Sequence, residues 1–179
     1  MNDTAIQIRP ATKADLPAVA RLAAELVRLH HALNPARFFL TERIEEGYEW
    51  FLFTELARKE SIILVAEQPG EEPDQHEILG YAWGRLEPRD WMELRDACGR
   101  LHEIFVNPAG RRLGVGKRLV EQIIEWLEAR GAPRVILTSA SNNEGAHRFF
   151  ESFGFRQTMV EMTRERGSST PTNTAPTSS

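Results

Sequence analysis

Cysteine is almost absent from this chain, with one residue, Cys98, among 179. A single thiol cannot close an intramolecular disulfide, so a disulfide-stapled scaffold is excluded and a reducing compartment, the cytoplasm, is the expectation. No uninterrupted apolar run approaches the roughly 18 to 20 residues of a membrane span, and Met1 to Pro10 lacks the apolar centre of a signal peptide. The chain therefore reads as unexported, with no membrane partner. Nor is there a surplus of cations: 22 Lys and Arg against 26 Asp and Glu leave a net charge of −4, which excludes a surface built as a whole to hold a polyanion. Any anion site must be local. What is present is 41% hydrophobic and 27% charged residues, the make-up of one globular domain with a sizeable core and not of a collagen or a coiled-coil rod.

Two stretches break that composition. Gly167 to Ser179 contains only Gly, Ser, Thr, Pro, Asn and Ala and cannot offset its ordering entropy by burial, so residues 1–166 are read as the single domain and 167–179 as a disordered tail. Gln68 to His76, with two prolines and a glycine, reads as a turn between strands.

Periodicity supplies the elements. Ala5 to Arg9 reads as a short strand stopped by Pro10. Thr12 with Asp15 forms a capping box ahead of a helix from Ala14 to His31, and after the Asn34-Pro35 break a second helix starts at Thr41. Ser61 to Glu67 and Glu77 to Leu86 form an antiparallel hairpin, followed by an irregular polar stretch from Glu87 to Gly99. Arg100 to Asn107 is a strand that leads through a glycine loop into an amphipathic helix stopped at Gly131. Arg134 to Ser139 reads as a buried central strand, Asn143 to Phe153 as a helix and Phe155 to Arg164 as a final strand. The order β-α-α-β-β-β-α-β-α-β gives an α/β (α+β) fold, a mixed sheet with helices on its faces.

The informative segment is Val106 to Lys117, VNPAGRRLGVGK, which joins a strand end to a helix start through Arg111-x-x-Gly114-x-Gly116. Glycines there let the backbone approach a ligand, and free N–H groups at a helix start attract phosphate. Arg111, Arg112, Lys117 and Arg118 add four cations within eight residues. A P-loop is excluded, because Arg111 stands where its first glycine belongs and Arg118 where Ser or Thr would hold magnesium. A dinucleotide fingerprint is excluded by Leu119 in place of its third glycine.

The same residues resemble the Q/R-x-x-G-x-G/A acyl-CoA loop of the GCN5-related N-acetyltransferases. Leu101 to Val106 resembles that family's fourth strand, and Asn143-x-x-Ala146-x-x-Phe149-Phe150-Glu151-x-x-Gly154-Phe155 resembles its later helix. The resemblance covers about Ala5 to Arg164 and implies a mostly antiparallel sheet with helices on both faces. It also implies acetyl-CoA as acyl donor, its pyrophosphate on the backbone of Arg112, Leu113, Gly114, Val115, Gly116 and Lys117 beside Arg111. The pantetheine arm would run along Phe105 and Val106, in a splay between the fourth and fifth strands, with Asn143 near the thioester. Asn143 also reads as a plain helix N-cap. An amine acceptor and compatibility with a homodimer complete what the family implies; His76 and His147 lack a neighbouring ligand set, so no metal is expected.

Acyl transfer needs a neutral amine, and a free alkyl amine of pKa about 10.4 lies roughly 4.6 kcal/mol from neutrality at pH 7. His102 and Glu103, on the strand that would carry the cofactor, are the candidate bases. Strand alternation places His102 on the face of Ile104 and Val106 with Glu103 opposite, unless a bulge intervenes. Each also reads as a hydrogen-bonded strand residue without a proton-transfer role. The family's general-acid tyrosine falls on Phe150, which has no proton to give; a thiol of pKa about 8.5 loses at most ~2 kcal/mol by that absence, with Tyr48, Tyr81 or water as stand-ins. The Val106 N–H would meet the oxyanion. The expectation is an N-acetyltransferase acting on a small-molecule or peptide amine by direct attack, with a catalytically degenerate acyl-CoA sensor as the alternative. His30 and His31 read as a helix-end surface pair or a pocket lining, and Trp50, Trp83, Trp91 and Trp126 as core or pocket wall.

Overall fold

The structure, a computed structural model, describes residues 6–70 and 76–167. Strand β1 (Gln7–Pro10) lies at one edge of the sheet, the position where a proline, lacking an N–H, is tolerated. The chain then turns into α1 (Leu16–Leu33) through a buried Asp15, whose carboxylate accepts the N–H and hydroxyl of Thr12 at 2.7 and 2.8 Å and both arms of Arg9 at 2.8 and 2.9 Å. The Arg9 guanidinium, ahead of the opposing effect of burial, holds this carboxyl at about 2. Helix α2 (Ile44–Leu56) follows, then β2 (Ser61–Pro69), β3 (His76–Glu87) and β4 (Cys98–Val106), each antiparallel to the one before.

Helix α3 (Val115–Glu128) crosses back over the sheet to β5 (Val135–Ile136), which pairs parallel to β4, and α4 (Glu144–Glu151) closes the described chain. The sheet order is β1-β2-β3-β4-β5. Helices α1 and α2 cover one face, over Val65, Tyr81, Trp83 and Phe105. Helix α3 covers the other with Val115, Leu119, Val120, Ile123 and Leu127, all at 0–1% exposure. At about 1.5–3 kcal/mol per buried aliphatic side chain, this stripe clamps α3 to the sheet and so fixes where its N-terminus points. Gly99 allows the close approach: a Cβ there would lie 2.9 Å from Leu127 Cδ1.

A β-bulge in β4 reorganises the strand. Trp83 pairs with Glu103 and Gly84 with Leu101, leaving His102 as the extra residue. Two observations agree with that slip. The Gly99 N–H donates to Arg134 O on the β5 side, whereas the Asn107 N–H donates to Leu79 O on the β3 side, although both positions are odd. Likewise Leu101 belongs to the α3 core and Phe105 to the opposite one.

Four expectations are corrected. Residues 155–164 form no strand; Phe155 packs partly buried against the α3 core, the later apolar side chains Met159, Val160 and Met162 are exposed, and Glu161 is held by Arg37. The strand expected over 134–139 is two residues long, half-buried and at the sheet edge, because β4 and β5 part after Arg100↔Ile136. Trp50 and Trp91 are exposed, while Trp83 is buried. Cys98 is not in a loop but begins β4 and is buried. The centre of the 68–76 turn and the tail from 168 lie outside the described residues. No helix among the described residues is long and apolar enough to cross a membrane.

Candidate functional site

Where β4 ends, the Asn107 side chain accepts the Gly110 N–H at 2.8 Å and fixes a 3-10 turn over Pro108–Gly110. Arg112 and Gly114 then adopt left-handed backbone, with φ of 64° and 74°, and turn the chain into α3. Gly114 is the N-cap and offers no side chain to the first helical turn. The N–H groups of Val115, Gly116 and Lys117 thus have no intrahelical partner and stand at the positive end of a 14-residue helix. Of the four cations expected here, Arg118 donates instead to Ile6 O at 2.7 Å, and Lys117 lies 3.7 Å from Glu121. Arg111 and Arg112 are exposed beside the loop.

This helix start opens into a cavity of about 700 Å³. Its walls are β4 from Leu101 to Val106, residues 137–139 beyond β5, Asn143 with Gly145, Ala146, Phe149 and Phe150, and Leu26, Leu29 and His30 of α1. Arg111, Arg112, Gly114, Val115, Gly116 and Lys117 line it; the exposed Leu113 side chain does not. Because β5 departs after Ile136, the edge of β4 from Glu103 to Val106 has no strand beside it and borders the cavity. With the Asn107 N–H aimed at β3, alternation aims the Val106 and Ile104 N–H groups the other way, into the splay. Gly116 faces the opposite wall, where a Cβ would come into contact with Phe149 Cζ at 3.4 Å. Asn143 lines the cavity and is also the N-cap of α4, accepting the Ala146 N–H at 3.1 Å.

At the bulge, His102 and Glu103 turn to the same face, that of Trp83 and Tyr81, away from Ile104 and Val106. This corrects the alternation argument: the extra residue breaks the parity it relied on. Both line the cavity. Glu103 Oε1 accepts the Tyr48 hydroxyl at 2.7 Å and Oε2 that of Tyr81 at 2.8 Å. Burial lifts the Glu103 carboxyl above its usual range, against the two hydroxyls that lower it. Burial first, then the Glu103 charge, pushes both tyrosines upward. Each tyrosine gives its hydroxyl hydrogen to Glu103 and neither lines the cavity, while Phe150 is itself buried among Phe149 and Phe155.

The His102 ring stacks on Trp83 at 4.1 Å and 16°, and its Nε2 lies 2.8 Å from Glu87 Oε1. Burial lowers its pKa below the usual 6.5, against the raising effect of Glu87. His30 and His31 divide their roles. His30 lines the cavity and stacks on Phe38 at 4.9 Å, while His31 Nδ1 lies 2.7 Å from Phe38 O and pins the segment after α1.

Glu87, Arg85 and the pairing of Tyr48 with Glu103 are not legible in the sequence. Alternation along β3 puts Glu87, Arg85, Trp83 and Tyr81 on one face, yet only the β4 bulge brings His102 to them. No group of three or more His, Cys, Asp or Glu side chains suited to a metal occurs among the described residues.

The model of the acetyltransferase (GNAT) family matches residues 25–155. An uncharacterized N-acetyltransferase of Archaeoglobus fulgidus is 27% identical over 154 residues, covering 85% of this chain and 94% of its own. The tetramutant of the BH1408 protein of Bacillus halodurans superposes with a TM-score of 0.72 at 22% identity, over 89% of this chain and 99% of that one. An aminoglycoside N-acetyltransferase, AAC(6')-Iy, solved in complex with CoA, has a TM-score of 0.66 at 18% identity, over 92% of this chain and 96% of that one.

Proposed function

Because the chain belongs to the acetyltransferase (GNAT) family, we propose that it transfers acetyl from acetyl-CoA to a primary amine of a small molecule or peptide by direct attack. The observation that carries this reading is the unpaired edge of β4, which borders one cavity from the bulge to the open N-terminus of α3. The residues present fit acetyl-CoA: the N–H groups of Val115, Gly116 and Lys117 suit a pyrophosphate, and the splayed edge at Phe105 and Val106 suits an amide-bearing arm. The CoA complex of AAC(6')-Iy supports the same assignment. When bound, acetyl-CoA supplies an activated acetyl thioester.

The chain's own residues handle the proton. His102 is the general base: Nε2 is engaged by Glu87 while Nδ1 makes no hydrogen bond among the described residues, whereas both oxygens of Glu103 are taken. Glu103, each oxygen of which accepts a tyrosine hydroxyl, places a carboxyl beside the base. The Val106 N–H faces the splay as an oxyanion donor. No acyl-enzyme is required; Cys98 is buried and lies outside the cavity wall.

The test is release of CoA from acetyl-CoA across a panel of primary amines, with His102→Ala beside the wild type. Amine-dependent release that falls by about 100-fold in the variant supports the proposal. Binding of CoA with no release across the panel supports instead the degenerate sensor that Phe150 raises.

A further inference from the structure

The chain of polar contacts behind His102 runs outward from the base. Glu87 Oε1 meets His102 Nε2 at 2.8 Å and also accepts Arg85 Nη2 at 2.9 Å. Arg85 in turn lies 3.3 Å from Glu55, a 2% exposed residue of α2 that Arg58 holds at 2.9 Å. The His102 and Glu87 side chains are only 18% and 12% exposed, so their contact is shielded from solvent competition. Among the described residues, the charged and titratable groups around His102 include Arg85 of β3, Arg100 and Glu103 of β4, Tyr48 of α2 and Tyr81 of β3 through Glu103, and His30 of α1 across the cavity.

We propose that Glu87 is the positioning residue of the reaction: its carboxylate accepts the Nε2–H of His102, fixes that tautomer and leaves Nδ1 as the lone pair that takes the amine proton. This rests on the reading of His102 as the base. Against burial, which raises it, the Arg85 hydrogen bond and charge hold the Glu87 carboxyl below its usual range, and an ionised Glu87 has no hydrogen to give, so Nε2 carries one. Stacking on Trp83 restrains the ring, so the contact sets orientation as well as tautomer. In the proton transfer, the amine N–H bond breaks and an Nδ1–H bond forms. Nε2 keeps its hydrogen, and the imidazolium is stabilised by the Glu87 charge, which does not itself take a proton. Arg100 and Arg85 oppose that cation, and Glu87 offsets them.

The test pairs spectroscopy with kinetics. Long-range 15N–1H spectra of the histidine rings across pH are recorded for the wild type and for Glu87→Gln, which keeps an acceptor and removes the charge. The expected wild-type signature is the Nε2–H tautomer at His102, with a titration midpoint that falls by about one pH unit in Glu87→Gln. In turnover, Glu87→Gln is expected to lower kcat about tenfold with KM for both substrates unchanged, and to move the acidic limb of the pH profile down with the midpoint. An Nδ1–H tautomer in the wild type, or a midpoint that does not move, overturns the assignment. The two failures separate: turnover retained in His102→Ala removes the base itself and this assignment with it, whereas turnover lost in His102→Ala with kcat and limb unmoved in Glu87→Gln removes only the positioning role.

Discussion

The two ends of β4 build their shares of the cavity from different material. Toward Val106 the site is main chain: an unpaired strand edge, two left-handed residues and the free N–H groups of one helix turn. Toward His102 it is side chain, with Glu87 from β3, Tyr48 from α2 and Tyr81 from β3 converging on a two-residue bulge. A main-chain site tolerates change in side chains and fails when its space is filled. A side-chain site keeps its shape when one group is altered and loses its chemistry.

The largest expected effect follows from filling the main-chain end. Gly116→Trp puts an indole between α3 and Phe149, and acetyl-CoA affinity measured by calorimetry is expected to fall by at least about 100-fold, while circular dichroism stays that of the wild type. Next comes the side-chain end: His102→Ala is expected to cost about 100-fold in kcat and to leave acetyl-CoA affinity within a factor of about three. If that variant also lost the cofactor, the division between the two ends would not hold.

This division also explains what could be read in advance. Arg111-x-x-Gly114-x-Gly116 lies within six consecutive positions, because a turn and a helix start are local and the left-handed backbone at Gly114 is a local demand. Glu87 and His102 are 15 positions apart, and their meeting depends on a bulge that no residue type announces. The same holds for the sheet. Long amphipathic stretches such as Val115–Glu128 declare themselves by period, whereas residues 155–164 carry a strand-like composition and find no neighbouring strand, since pairing is decided by the edge on offer.

A smaller effect sharpens the account of Glu103. Burial holds its carboxyl above the ordinary 4.5, so the folded chain binds that proton more tightly than the unfolded one. The stabilisation this confers is present below about pH 4 and is lost as the pH rises through the raised value. Glu103→Gln, which does not titrate, is therefore expected to gain in melting temperature relative to the wild type between about pH 4 and pH 8. A difference that is constant across that range would show the carboxyl to be unperturbed. The smallest effect belongs to the exposed cations. Lys117→Ala is expected to weaken acetyl-CoA binding by less than about fivefold, an effect that 0.5 M salt removes, because the backbone and not the ammonium does most of the holding.

The most direct test of the division is one calorimetric series, acetyl-CoA titrated into the wild type, His102→Ala and Gly116→Trp at pH 7. The wild type and His102→Ala are expected to bind alike and Gly116→Trp to show no heat of binding. No binding by the wild type, or loss of binding in His102→Ala, would contradict it.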